Sequence, residues 1–195
     1  MKTKTLLKGS VFIVDKIHLF CYDSFIMAIP KKIINFLEKS GVRNDVITHR
    51  KVYTAIDKAR TLKMKAHLVA KTVVLKVDRL PLIALIPADT MLDLEKLKKI
   101  LGTEKKVRKI NFASEKWIKE NIKGMKEGAI PPFGSIWGLP VLVDKGLMKN
   151  TKIVVNSGSH TQSIRLTPSA LRKLIPGLKE GIFSKKKPVK KKKGV

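Results

Sequence analysis

The sequence predicts a single α+β domain with a mixed, mainly antiparallel sheet flanked by helices. Apolar, β-branched runs of strand length are interspersed with helix-period segments that carry recognisable caps. These strands and helices follow no strict βαβ alternation, which argues against a doubly wound parallel sheet. The 195 residues suit one well-packed domain and are short for two, and 44% hydrophobic with 29% charged residues is a globular composition. There is no internal repeat.

Residues 1–26 resemble a signal peptide only weakly, because Asp15 and Lys16 interrupt the apolar stretch after VFIV. They are expected to be an extension of uncertain role before a domain that starts at Met27. Pro30 suits the first turn of a helix with Ile33, Ile34 and Leu37 on one side and Ser40-Gly41 as its stop. Residues 46–48 form a short strand, and Thr54 and Asp57 have capping-box spacing before a helix to about residue 63, with Ile56, Ala59 and Leu62 inward. Residues 67–76 and 82–86 read as a strand pair around a turn at Asp78-Arg79. A helix over 93–101 stops at Gly102, a strand spans 107–112, and Ser114 caps a helix that ends at Gly124. Residues 126–138 hold three glycines and two adjacent prolines and are expected to be irregular. Strands at 139–143, 152–156 and 163–166 precede a last helix opened by Thr167-Pro168. Residues 184–195 are seven lysines among almost nothing apolar, and are expected to be a disordered tail.

The charge is extreme. Against 42 Lys+Arg stand 15 Asp+Glu, a net +27, of which the tail's seven lysines account for seven and leave +20 on the remainder. Such a balance points to a polyanion, either nucleic acid or an anionic membrane surface. Only seven of the 42 cations are Arg, so phosphate-dominated, salt-sensitive binding is expected in place of base reading by basic side chains. One cysteine, Cys21, excludes an internal disulfide framework and a Cys-based zinc cluster, which suits a reducing cytosol. No apolar run reaches the roughly 18 residues of a spanning helix.

Three segments stand out. Lys71 lies mid-strand on the face of Val69, Val73 and Leu75, where an ammonium either snorkels to water or meets something anionic or strongly polar. The loop Gly128-Ala129-Ile130-Pro131-Pro132-Phe133-Gly134 is stiff, lets backbone approach a ligand, and has room for a cis bond at Pro131-Pro132. Its Phe133 is either the lip of a pocket or a core residue. Asn156-Ser157-Gly158-Ser159-His160 follows a strand directly, and is either an anion-facing backbone turn or an ordinary one. The four histidines show no metal-ligand spacing, and no GxSxG elbow, Walker loop or GxGxxG occurs, so an enzyme built this way works chiefly by positioning.

In this order the three segments, with LIPADTMLDLEKLKKILG between the first two, resemble the YbaK/EbsC family of aminoacyl-tRNA deacylases, relatives of the editing domain of bacterial prolyl-tRNA synthetases. The resemblance runs from about residue 27 to 183. It implies a central mixed, barrel-like sheet flanked by helices. It also implies hydrolysis, without metal or other cofactor, of the ester that joins a wrong amino acid, typically Ala, Cys or Ser, to tRNA. By the same resemblance Lys71 is the family's lysine, Gly134 and Gly158 its catalytic glycines, and N–H groups near them polarise the ester. Gly128, Pro131, Pro132, Phe133, Ser157, Ser159 and His160 would line the substrate site, His160 ranking below the glycines. Lys71 is then an electrostatic anchor for the tRNA end and not the group that breaks the bond. The expected protein is cytoplasmic, monomeric and partnered by misacylated tRNA. A noncatalytic RNA- or ribosome-binding module on the same fold is the alternative.

Overall fold

The computed structural model describes residues 29–103, 106–126 and 128–187. The expectations for residues 1–26, for Met27 as the domain start and for residues 188–195 lie outside them.

The elements run α1 (Lys31–Ser40), β1 (Asp45–Thr48), α2 (Ala55–Thr61), β2 (Ala70–Val77), β3 (Leu80–Pro87), β4 (Thr90–Leu92), α3 (Leu94–Leu101), β5 (Ile110–Phe112), α4 (Glu115–Asn121), β6 (Val141–Asp144), α5 (Lys145–Met148), β7 (Ile153–Asn156), β8 (Gln162–Leu166), α6 (Pro168–Leu174), β9 (Lys179–Gly181) and β10 (Ser184–Lys186). Short 3-10 turns occupy Ala66–Leu68 and Gly134–Trp137. The helices begin where their capping residues stand. Thr54, Asp93, Ser114 and Thr167 each accept the backbone N–H three residues on, satisfying a donor that the first turn leaves orphaned.

The central five-stranded sheet has the order β5-β2-β3-β6-β9, antiparallel through β5, β2 and β3 and parallel onward to β6 and β9. A second sheet, β1-β8-β7, and the β10-β4 pair are antiparallel. The fold is thus α+β with a mainly antiparallel, mixed sheet. The barrel-like closure is loose: the sheets remain separate ladders, and a parallel bridge between Val69 and Val154 links the start of β2 to β7.

Both faces of the central sheet are covered, which explains why β3 reads LPLIALIP with no polar alternation. Ile83 and Leu85 enter the main core with Ile33, Phe133, Val155, Ile164 and Leu171. Leu82, Ala84 and Ile86 face the other way, into a cluster with Leu75, Leu97 and Phe183. A third cluster, Ala59, Val69, Ala88 and Val154, lies beneath α2. Lys71 shares its strand face with Val69 on one side and Val73 on the other, so it emerges between the second and third clusters.

The largest departure is at the C-terminal end. The expected tail does not begin at Ser184: residues Ser184–Lys186 form β10 and pair with Leu92, Met91 and Thr90. The cause is long-range. Buried Asp144 accepts the N–H groups of Phe183 (2.9 Å) and Ser184 (2.8 Å) on one carboxylate oxygen and that of Gly146 (2.8 Å) on the other. Phe183 is fully buried, and the chain leaving it meets the open edge of β4, where Lys185 reaches Asp93 at 3.6 Å. Asp144→Ala orphans three backbone donors around a site only 3% exposed and should cost about 3 kcal/mol or more in urea unfolding; a loss below about 1 kcal/mol would contradict this anchoring.

Candidate functional site

An unusual contact ties the loops together. Lys58, on α2, is only 4% exposed and donates to Asn156 Oδ1 at 2.5 Å. The Asn156 amide in turn donates to the carbonyls of Gly128 (3.3 Å) and Ile130 (3.2 Å). Helix α2, the end of β7 and the Gly-Pro loop are therefore fixed by one side-chain chain. An ammonium cannot accept a hydrogen bond, so Lys58 also sets which way the amide faces: oxygen to the lysine, NH2 to the loop. Burial lowers the Lys58 pKa to about 8. His49, whose Nε2 lies 2.9 Å from Ser163 Oγ, is lowered by burial and further by the nearby Lys58.

The glycines act sterically. Gly158 has φ +93°, and a Cβ there would stand 2.9 Å from Met125 Sδ and from Pro30 ring carbons. A Cβ on Gly134 would fall 2.2 Å from the Leu139 carbonyl oxygen. Their own N–H groups are engaged, Gly158 to the Ala129 carbonyl (2.9 Å) and Gly134 to the Pro132 carbonyl (2.8 Å). Of the N–H groups near these glycines that were expected to polarise an ester, the glycines' own two close the turns that hold the loop. Ser157 Oγ donates to the Gln162 carbonyl (2.6 Å), and Ser159 Oγ lies 3.1 Å from Thr161 Oγ1, so both buried serines stitch their own turn. Phe133 is a core residue, fully buried against Phe36 at 5.2 Å between ring centroids, and not a pocket lip. Pro131 and Pro132 are buried too, with trans bonds.

Lys71 neither snorkels freely nor meets a carboxylate in its hydrogen bonding. Half-buried, it donates to the Thr90 carbonyl at 3.3 Å, and burial first, then the adjacent Lys187 ammonium, lower its pKa. Lys187 donates to the Ala88 carbonyl at 3.0 Å. Two ammoniums are thereby held by carbonyls of one turn. No described hydrogen bond joins Lys71 to Gly134 or Gly158. Gly128 is exposed and His160 partly so. A surface cavity of about 490 Å3 lies elsewhere, lined by Arg43, Lys152, Arg165 and Lys173 among others, and none of the expected site residues lines it. Among the described residues no group of three or more His, Cys, Asp or Glu is placed to hold a metal, and no helix is long and apolar enough to cross a membrane.

A model of the aminoacyl-tRNA editing domain family matches residues 49–174, which contain Lys58, Lys71, both loops and their clamp. The chain belongs to this family. Solved structures agree on the fold. The crystal structure of hypothetical protein APE2540 superposes with TM-score 0.69 at 18% identity, covering 79% of this chain and 99% of that one. A candidate trans-editing enzyme for prolyl tRNA synthetase superposes with TM-score 0.69 at 21% identity, covering 80% and 96%. No curated protein matches the sequence.

Sequence reasoning missed the editing domain's buried lysine. The signal was present: Lys58 lies three residues after Ala55 and four before Leu62, so helical spacing places it beside the inward face. It also missed Tyr53, an exposed aromatic closing the basic run His49-Arg50-Lys51-Val52-Tyr53.

The buried ammonium makes a pH prediction. Its folded pKa, about 8, is below the ordinary 10.5, so the unfolded chain binds more protons between these values and the penalty of burying charge is relieved as pH rises through that window. Relative to Lys58→Met, wild-type unfolding free energy should climb by up to about 3 kcal/mol from pH 7 to pH 10.5. Parallel stability curves for the two proteins would contradict a charged, buried Lys58.

Proposed function

We propose that this editing domain is a cytoplasmic, freestanding aminoacyl-tRNA deacylase that removes wrongly attached small amino acids, with alanine, cysteine and serine esters as its substrate class. Water adds to the ester carbonyl, the bond to the terminal ribose oxygen breaks, and that oxygen leaves with a proton as the amino acid is released. An aminoacyl ester is labile already, so holding it in place and letting water reach it is a sufficient task. The described fold runs on to Lys187, past its expected end, through β10, and the protein acts as a monomer.

The observation that carries this reading is the paired cations. Lys71 and Lys187 crowd two ammoniums onto the Ala88 and Thr90 carbonyls, an arrangement whose mutual repulsion an incoming phosphate or polarised carbonyl relieves. Lys71 is the anchor for the tRNA end. Gly128 and His160 stand at the margin of the site, while Gly134, Gly158, Pro131, Pro132, Phe133, Ser157 and Ser159 shape it from behind. The acceptor arm lies along a body whose charge without the lysine-rich residues 184–195 is still +20.

Incubation of wild type and Lys71→Ala with a panel of misacylated tRNAs, following amino acid release, tests the proposal. Wild type should hydrolyse at least one member, and Lys71→Ala should lose about tenfold or more in kcat/KM, as expected when a charge-assisted contact disappears. Salt-dependent tRNA binding with no hydrolysis of any member would establish a noncatalytic RNA-binding module instead.

A further inference from the structure

Tyr53 is an anomaly beside the candidate site. The residue is 62% exposed, yet its backbone is closely neighboured: a Cβ on Gly128 would lie 3.2 Å from the Tyr53 carbonyl oxygen, and the preceding Val52 N–H donates to the His160 carbonyl at 3.1 Å. The residue is thus wedged between the Gly-Pro loop and the 156–160 turn. His160 packs its ring against Tyr53 with centroids 4.7 Å apart, tilted by 56°, and so supports the phenol from one side. Lys51 Nζ lies 5.4 Å from the Tyr53 centroid. Lys126 approaches the same turn, its N–H directed at the Gly158 carbonyl at 3.5 Å. The His160 pKa is lowered by burial first and then by the positive charges of Lys126, Lys51 and Lys58.

An aromatic ring open to solvent, backed by a second ring and rimmed by lysines, matches the physical requirements of a single-stranded nucleic acid site: a flat apolar face for a base and cations for the flanking phosphates. Lysines rather than arginines rim it, which favours phosphate contact over base-edge reading. A folded protein partner would ask for a broader apolar surface, whereas here one aromatic stands among charges.

We infer that Tyr53, supported by His160 and flanked by Lys51 and Lys126, is the platform on which an unpaired base at the 3′ end of the tRNA stacks. This deepens the deacylase reading and rests on it, since the platform borders the two loops that frame the proposed site. Stacking would fix the terminal nucleotide beside the loops, while Lys71 supplies charge for the tRNA end.

The test uses the full chain and two RNAs: uncharged tRNA, and the same tRNA trimmed of its unpaired 3′ nucleotides. Binding is measured by fluorescence anisotropy at near-physiological salt for wild type, Tyr53→Ala and Tyr53→Phe. Wild type should prefer the intact tRNA by about tenfold, the size expected for one stacked base. Tyr53→Ala should lose most of that preference, keeping only the part the lysines supply through phosphate, and Tyr53→Phe, which keeps the ring, should retain the preference. Undiminished discrimination in Tyr53→Ala overturns the platform and leaves the deacylase reading standing. A wild type that does not discriminate overturns the platform and the tRNA-end site together, and equal weakening on both RNAs in Tyr53→Ala overturns it as a nonspecific surface effect.

Discussion

The loops of the candidate site are tied together by one buried hydrogen bond, between Lys58 and Asn156. An ammonium that is 4% exposed has lost most of its hydration, and a neutral amide oxygen replaces only part of it. The arrangement is costly, and it does something an apolar contact cannot. It orients a primary amide so that both of its N–H groups meet the loop carbonyls of Gly128 and Ile130. Removal of the lysine would leave the amide free to flip. Loss of the asparagine would strand a buried charge and release the loop from β7. The two-proline segment is thereby tied to β7 in addition to its own turn hydrogen bonds.

That rigidity assigns different work to residues that look alike in sequence. Gly134 and Gly158 are required because side chains would collide with Leu139, Met125 and Pro30, and their N–H groups close turns. Phe133 anchors the loop in the main core. Beyond these residues stand the Lys71–Lys187 pair at the Ala88 and Thr90 carbonyls and the Tyr53–His160 pair beside Lys51. On the proposed deacylase function, such a site would position and neutralise a substrate and draw its chemistry from an ester already prone to hydrolysis.

The legible parts of the structure were those with local causes. Thr54, Asp93, Ser114 and Thr167 announce their helices because a cap acts within three residues, and the apolar runs of β3 and β7 are nearly continuous because both faces of each are covered. Lys71 was found because a charge violates the pattern of its own strand. Helical spacing puts Lys58 beside the inward face of its helix, but its partner was not legible, since Asn156 lies nearly a hundred positions away. β10 was also missed: Ser-Lys-Lys has no strand propensity, and its conformation comes from Asp144 and the free edge of β4. The Tyr53–His160 pairing likewise depends on two loops meeting.

The central claim is that a clamped loop places the ester for hydrolysis. Its most direct measurement is the single-turnover rate of deacylation by Asn156→Ala at saturating protein, with tRNA affinity determined in parallel. Release of the loop predicts a rate lower by about a hundredfold, as for a misplacement of about an ångström, with tRNA affinity nearly unchanged. A folded variant that hydrolyses its substrate at the wild-type rate would contradict the account.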